Sequence, residues 1–453
     1  MSFLTKRFLA LAALSYLCSL TLASYLPRED HHDHDHSSDS LPAGNWYQPD
    51  HHPVRSLFKR ATHQTDGQTY PAVGSAQWAA AYPTGKADTS KLPQEWVDAL
   101  NAAVAAGKIP NIPPTTLVKG NPTYPNNLDP NSDTVCSTTV QCNKNPDVWW
   151  DAPPGVFATS FDDGPLPTSD KLYQFLQQNN EHATHFFIGT NILANPKEFT
   201  TAFDTLNDDI AVHTWTHPYM TTLTNLEVLG ELGWTMQIIH DSTGGRVPAF
   251  WRPPYGDSDN RVIAIASEVF GMTTCIWNKD TDDWSIGEGG STTTVASAEA
   301  AYTKWLAGPK TPGLMVLEHE LSVATVQIFM DMYPKIKASG WQTMSLARIN
   351  GSAVYQNAAD SIGPVVLVKD ITDADVVNAS SSATPSSSSA SASASSATGN
   401  TTSQSQSSSD KAAATGTVKT NGAFSFVLDS AQWQPKGIFA TVLTLGLSLM
   451  AFS

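Results

Sequence analysis

Two features of this chain combine residue types and spacings that suit bond-breaking chemistry. They are the acidic doublet Asp162-Asp163, inside Thr159-Ser-Phe-Asp-Asp-Gly-Pro165, and the histidines of His213-Thr-Trp-Thr-His217. Imidazoles four residues apart can turn the same way and offer nitrogens to one metal ion. A distant carboxylate can add a third ligand while positions stay open for water and substrate. The other carboxylate of the doublet would stand beside the ion without binding it, placed to accept a proton from water. Either imidazole taken singly would more often be a hydrogen-bonded core histidine; the pair together with the doublet points to a hydrolytic metal centre. Further polar residues recur in short clusters downstream: Arg252 and Tyr255 in Phe250-Trp-Arg-Pro-Pro-Tyr-Gly256, Asp283 in Asp280-Thr-Asp-Asp-Trp284, and His319 after Leu317-Glu318. Asp283 has a plain structural alternative as a turn or helix cap, and His182 and His185 read as structural.

The elements that must position these residues are β/α units. From Val156 short apolar runs alternate with longer periodic ones. The spacing predicts strands over 156–159, 184–188, 210–212, 274–277 and 313–317. Helices are predicted over 169–178, 261–270 and 223–240, the last with Leu226, Leu229, Leu232, Met236 and Ile239 on one side. Each polar cluster falls where a strand ends, and residues gathered at the carboxyl ends of successive parallel strands form the active face of a β/α barrel. The barrel is expected over 156–350, after an irregular Pro- and Gly-rich extension over 61–155. That extension holds one helix, 94–106, with Trp96, Leu100 and Val104 at helical spacing, and a flank over 351–377 follows the barrel.

The ends have other compositions. Residues 1–23 carry Lys6 and Arg7 ahead of an apolar run and a small-residue exit, as a signal peptide does. Residues 24–60 are His-rich, too polar to bury a core, and end in Lys59-Arg60, where a pro-segment could be cut; the histidines there read as a solvated leader. Residues 378–420 are almost wholly Ser, Thr, Ala and Gly, the composition of a disordered, O-glycosylated stalk. Residues 421–453 combine small residues near Asn421, a spacer and an apolar tail, the pattern of a lipid-anchor (GPI) signal whose tail is removed. A secreted protein tethered to the outer face of the plasma membrane and the cell wall is expected. Lys and Arg number 26 against 42 Asp and Glu, a net charge of −16, which argues against a nucleic-acid partner. Cys18 leaves with the signal, so one disulfide and one spare thiol are expected among Cys136, Cys142 and Cys275, with the pairing open.

The ordered set Thr159–Pro165, His213–His217, Arg252-Pro-Pro-Tyr255, Asp280–Trp284 and Leu317-Glu-His319 resembles the polysaccharide deacetylases of the NodB-homology (carbohydrate esterase family 4) type, and among them the fungal chitin deacetylases. The resemblance implies a distorted (β/α) barrel, commonly short of eight strands, and one divalent metal, Zn2+ before Co2+. It implies Asp163, His213 and His217 as ligands, Asp162 as general base, and His319 as general acid oriented by Asp283. It also implies Arg252 as the residue that holds Asp162, and Tyr255 as the donor of a backbone N–H to the oxyanion. Trp284 and Leu317 would wall an acetyl pocket. Asp280 and Asp282 are left with surface or turn roles, and Ser160 touches no role. Asp208-Asp209 stand where relatives often carry Gly and an acidic residue, which leaves the local backbone before His213 less defined. The expected activity is N-deacetylation of chitin at the fungal cell wall. Its rivals are action on another acetylated glycan, which acetate release from chitin oligomers or acetyl-xylan separates, and a non-catalytic glycan-binding mannoprotein. A pure binder has no use for a base, a metal and an acid together.

Overall fold

The computed structural model describes residues 48–49, 51–58 and 70–365. The expected signal peptide, most of the His-rich segment, the stalk and the anchor signal lie outside the described residues.

The strands are β1 (Thr116–Val118), β2 (Asn121–Thr123), β3 (Val148–Trp149), β4 (Val156–Asp162), β5 (Thr184–Phe187), β6 (Asp209–Val212), β7 (Phe250–Trp251), β8 (Thr273–Cys275), β9 (Lys279–Asp280), β10 (Leu314–Leu317) and β11 (Gln342–Ser345). β1 and β2 pair antiparallel as a separate hairpin. The others form one parallel sheet in the order β3-β8-β7-β6-β5-β4-β10-β9. β11 pairs the first part of β4, and β5 pairs its end. The path ends at β3 and β9, and the gap is bridged: the Gly313 N–H before β10 donates to the Ala152 carbonyl after β3 at 2.8 Å, and the Asn278 N–H between β8 and β9 donates to the Met315 carbonyl at 3.0 Å. This is a distorted (β/α) barrel flanked by helices.

β4 is buried along its whole length, as a central parallel strand covered on both faces must be. It runs three residues beyond the predicted 156–159 because Ser160 and Asp162, polar in sequence, find partners inside. The helix Asn225–Ser242 starts two residues later than predicted, at a capping box in which Thr224 and Glu227 satisfy each other's backbone N–H. Leu226 therefore falls in the first turn and is partly exposed, while Leu229, Leu232, Met236 and Ile239 are buried.

The extension is part of the core. In the helix Gln94–Ala105 the buried residues are Trp96, Leu100 and Ala103; Val104, expected inward, is 45% exposed because the apolar stripe continues through Ala103. Trp96 lies over Gly233 of the long helix, where a Cβ would come within 2.4 Å of its Cζ3.

Two boundaries are corrected. The segment 24–60 does not end as a solvated leader. Val54, Leu57 and Phe58, at i, i+3 and i+4, are buried in the main core, and the Trp96 indole N–H donates to the Leu57 carbonyl at 3.1 Å. Three apolar residues on one face of a short helix outweigh the polar composition around them. The flank after residue 350 is likewise part of the fold to the end of the described residues, with Val354, Tyr355 and Ala358 in the same core.

Candidate metal and catalytic site

β4 ends in the acidic doublet. Successive side chains of a strand point to opposite faces, but Asp163 adopts φ 72°, a left-handed conformation that aspartate tolerates better than most residues. The break in alternation lets both carboxylates face one site. Asn191 fixes the turn by donating from its side chain to the Asp163 carbonyl at 2.8 Å.

β6 delivers His213, and the turn that follows bends through left-handed Thr214 and His217 (φ 67° and 59°). The Thr214 hydroxyl accepts the His217 N–H at 3.1 Å. Glu231, in the middle of the long helix, holds the segment between the histidines. Its carboxylate accepts the N–H groups of Trp215 and Thr216 at 2.9 and 2.7 Å and the Thr216 hydroxyl at 2.6 Å. Gly189 lets the Trp215 ring close on it, since a Cβ there would lie 2.0 Å from Cε3.

His213 Nδ1 lies 2.7 Å from the Arg252 carbonyl, which can only accept, so the proton sits on Nδ1 and the Nε2 lone pair faces inward. Asp163 Oδ1 is 3.2 Å from His213 Nε2 and 3.1 Å from His217 Nε2. It is nevertheless buried and accepts no well-aligned hydrogen bond. Candidate ligand atoms of Asp163, His213 and His217 all lie within 4.8 Å of one another. A buried carboxylate oxygen and two imidazole nitrogens that converge without bonding one another fit a shared divalent cation. Burial alone would raise the Asp163 pKa; His217, His213 and His319 around it outweigh burial and hold the carboxyl well below the usual range.

Asp162 takes a different environment. Its Oδ1 is bound by Arg252 Nη1 at 2.6 Å, and its Oδ2 faces His213 Nε2 at 3.8 Å. Arg252 is itself buried, with its guanidinium over the Phe186 ring, 4.2 Å from Cζ to centroid. Its Nη2 donates to Ser160 Oγ at 3.2 Å. Ser160 thus has a part that its sequence context did not suggest, as a second anchor for the arginine that holds Asp162.

His319 follows β10, on the strand register beside Asp162. Its Nδ1 is 2.7 Å from Asp283 Oδ1, and its N–H donates to Asp283 Oδ2 at 3.1 Å. Burial pulls the imidazole pKa down, but the charge and hydrogen bond of Asp283, with Asp163 and Asp162 behind them, push it up to about 10. Leu317 is buried at the end of β10 and Trp284 is half-buried next to Asp283. Asp280 accepts the Asp282 N–H at 2.8 Å, a turn bond. Tyr255 sits at φ 59°, its ring against His217 at 4.6 Å and stacked on Tyr219 at 4.1 Å.

The sequence offered no signal for Glu231, a single acid inside a long helix. It also offered little for the buried chain of charges under the doublet. His185 lies between Asp208, at 3.0 Å from Nε2, and Glu320, which is bonded to Nδ1. Glu320 in turn donates its backbone N–H to the Asp162 carbonyl at 3.0 Å. Asp209 pairs with Arg348 at 2.6 Å. The doublet Asp208-Asp209 is therefore ordered by partners from other elements. Among the cysteines, Cys136 and Cys142 form the disulfide and Cys275 is buried and free.

A polysaccharide deacetylase family model matches residues 151–274. "Chitin deacetylase 3" of Cryptococcus neoformans var. neoformans serotype D is 42% identical over 333 residues, 72% of this chain and 78% of that protein. "Chitin deacetylase" of Amylomyces rouxii is 34% identical over 287 residues, covering 60% of this chain and 66% of that protein. The solved structure of the chitin deacetylase from Colletotrichum lindemuthianum aligns with 46% of this chain and 94% of that one, with a TM-score of 0.41 and 22% identity. On the extent and identity of the match to the Cryptococcus protein, this chain belongs to the polysaccharide deacetylase family.

Proposed function

We propose that this protein hydrolyses the N-acetyl groups of N-acetylglucosamine residues in chitin, giving chitosan and acetate. The cation would be held by Asp163, His213 and His217, a donor set of one carboxylate and two imidazoles that favours Zn2+ and accommodates Co2+. The observation that carries the reading is the buried, unbonded Asp163 Oδ1 aimed at two imidazole nitrogens, between an arginine-held Asp162 and an aspartate-held His319. Relatives that carry the name chitin deacetylase supply the substrate class.

When bound, the cation polarises the acetyl carbonyl and acidifies water. Asp162 takes the proton of the attacking water on Oδ2, because Oδ1 is tied to Arg252. As the water oxygen bonds to the carbonyl carbon, the C=O pair moves onto oxygen, and the backbone N–H of Tyr255 donates to that oxyanion. His319 then protonates the amide nitrogen, the C–N bond breaks with its electron pair going to nitrogen, and amine and acetate leave. Asp283 keeps the His319 ring oriented and charged for that transfer. Trp284 and Leu317 enclose the acetyl methyl. Secretion and a lipid tether at the cell surface complete the reading, from the composition of the two ends. No helix among the described residues is long and apolar enough to cross a membrane.

Acetate released from a chitin oligomer tests the proposal. Chelation is expected to abolish release and zinc to restore it, and Asp162→Asn should lower kcat by about 10²- to 10⁴-fold while the protein still binds metal. Activity indifferent to both treatments overturns the mechanism; release from acetyl-xylan alone overturns the substrate.

A further inference from the structure

Tyr255 is a bulky residue held at φ 59°, ψ 12°, a strained conformation that persists only where the surroundings over-determine it. The surroundings that do so come from outside the barrel. The extension carries a short turn, Thr138–Val140, between Cys136 and Cys142, which the disulfide joins. Thr138, 4% exposed, donates its hydroxyl to the Gly256 carbonyl at 2.7 Å, with the Ser258 carbonyl at 3.1 Å. The same oxygen accepts the Ser258 N–H at 3.0 Å, and the Thr138 N–H donates to the Ser258 carbonyl at 2.9 Å. Every one of these bonds lands on the residues that immediately follow Tyr255.

The adjacent Thr139 extends the grip. Its hydroxyl donates to Asp257 Oδ1 at 2.7 Å. The fully buried Asp257 also accepts the Thr221 N–H on Oδ2 at 2.8 Å, and Thr221 follows the histidine turn. Thr115, also in the extension, donates its N–H to the Thr221 carbonyl at 2.9 Å. The loop with Tyr255 and the loop with His217 are thus tied to each other and to one disulfide-closed turn. Tyr255 cannot relax to negative φ without moving Gly256 and Asp257, and both are bonded to that turn.

We infer that the Cys136–Cys142 turn is a positioning element of the reaction, with Thr138 as its positioning residue: its hydroxyl holds the backbone at Tyr255 in the conformation that presents the Tyr255 N–H to the developing oxyanion. The inference rests on the reaction proposed above and gives the extension a catalytic purpose beyond packing. Thr138 acts through Tyr255 and touches no reacting atom.

The test is acetate release from a chitin oligomer by wild type, Thr138→Val and Thr138→Ser, with thermal unfolding and bound metal measured on each. Valine keeps the shape and removes the hydroxyl; serine keeps the hydroxyl and removes a methyl. The expected result is kcat about tenfold lower for Thr138→Val with KM within about twofold, unchanged metal content, and recovery of kcat in Thr138→Ser. Equal kcat in wild type and Thr138→Val, or the same loss in both variants, overturns the inference, because packing alone would explain it. Should Thr138→Val fail to fold, Thr139→Val removes the half-buried bond to Asp257 from an exposed threonine and is expected to lower kcat about threefold; an unchanged kcat there overturns the inference as well. A wild type that releases no acetate refutes the proposed reaction itself, and so the two failures are separable.

Discussion

Asp283 holds His319 from two sides, through ring nitrogen and backbone, and its charge is the largest of the influences that raise the imidazole pKa against burial. A general acid must carry its proton, so a raised pKa extends activity to higher pH. Asp283→Asn should move the alkaline limb of the kcat/KM profile to lower pH, by about one unit or more, and lower kcat at neutral pH by about 10²-fold. A bound cation would pull the limb down in both proteins and leave the sign of their difference intact. An alkaline limb that stays in place in Asp283→Asn would remove His319 from the role of acid. Residues of this kind were readable in advance because their chemistry is rare: a carboxylate doublet, a histidine pair and an Asp-Trp cluster have few structural uses together. Ser160 was not readable, because one hydroxyl on a strand says nothing until an arginine reaches it.

Among the elements, strands fix where the chemistry stands and the turns after them fix how it is aimed. Asp163, Thr214, His217 and Tyr255 all take left-handed conformations in the turns that follow strands, and those turns are tied down by partners remote in sequence: Asn191 on Asp163, Gly189 on Thr214 and Glu231 on the segment between the histidines. Glu231 is the clearest case: a buried carboxylate with its three bonds on the turn between His213 and His217. Glu231→Gln would set an amide N–H₂ against backbone donors and loosen that turn. Metal affinity, read by competition with a chelator, should fall about 10- to 100-fold, and unchanged affinity would reduce Glu231 to a packing residue. Apolar periodicity made β4, β5, β6, β8 and β10 and four of the helices legible, but not the two- to four-residue strands β1–β3, β7, β9 and β11 or the helices Val295–Leu306 and Val323–Ala338. Element ends were not legible either, because caps such as Thr224–Glu227 and polar strand residues such as Asp162 depend on partners that periodicity does not record.

Across the whole molecule, a buried chain of charges supports the site from below. His185 is held between Asp208 and Glu320, with the Tyr173 hydroxyl on Glu320 and His182 on Asp208. Burial opposes its charge, but Glu320 and Asp208 prevail and push its pKa up to about 10. A pKa raised on folding stabilises the native state fully below the unfolded value of about 6.5, and that contribution is lost as pH rises through about 10. His319 shifts the same way, so the slope of wild type alone is not diagnostic. The stability difference between wild type and His185→Gln, from denaturant unfolding, should be largest near pH 6 and shrink toward pH 10. A difference that is constant with pH would mean that His185 is neutral in the fold. The extension adds a second whole-molecule feature, since Trp96 over Gly233 and the Cys136–Cys142 turn make it part of the catalytic body.

The sequence by itself determined the class of fold, five of its strands and four of its helices, and the group of residues proposed to bind a metal and move protons, because periodicity and rare reactive side chains are local properties. Tertiary structure decided which cysteines pair, that Val54, Leu57 and Phe58 before the extension and Val354, Tyr355 and Ala358 after the barrel belong to the core, and that Glu231, Ser160, Glu320 and Thr138 stand behind the reactive groups. Those are pairings between residues far apart along the chain, and their energies exist only once folding has brought the partners within hydrogen-bond distance.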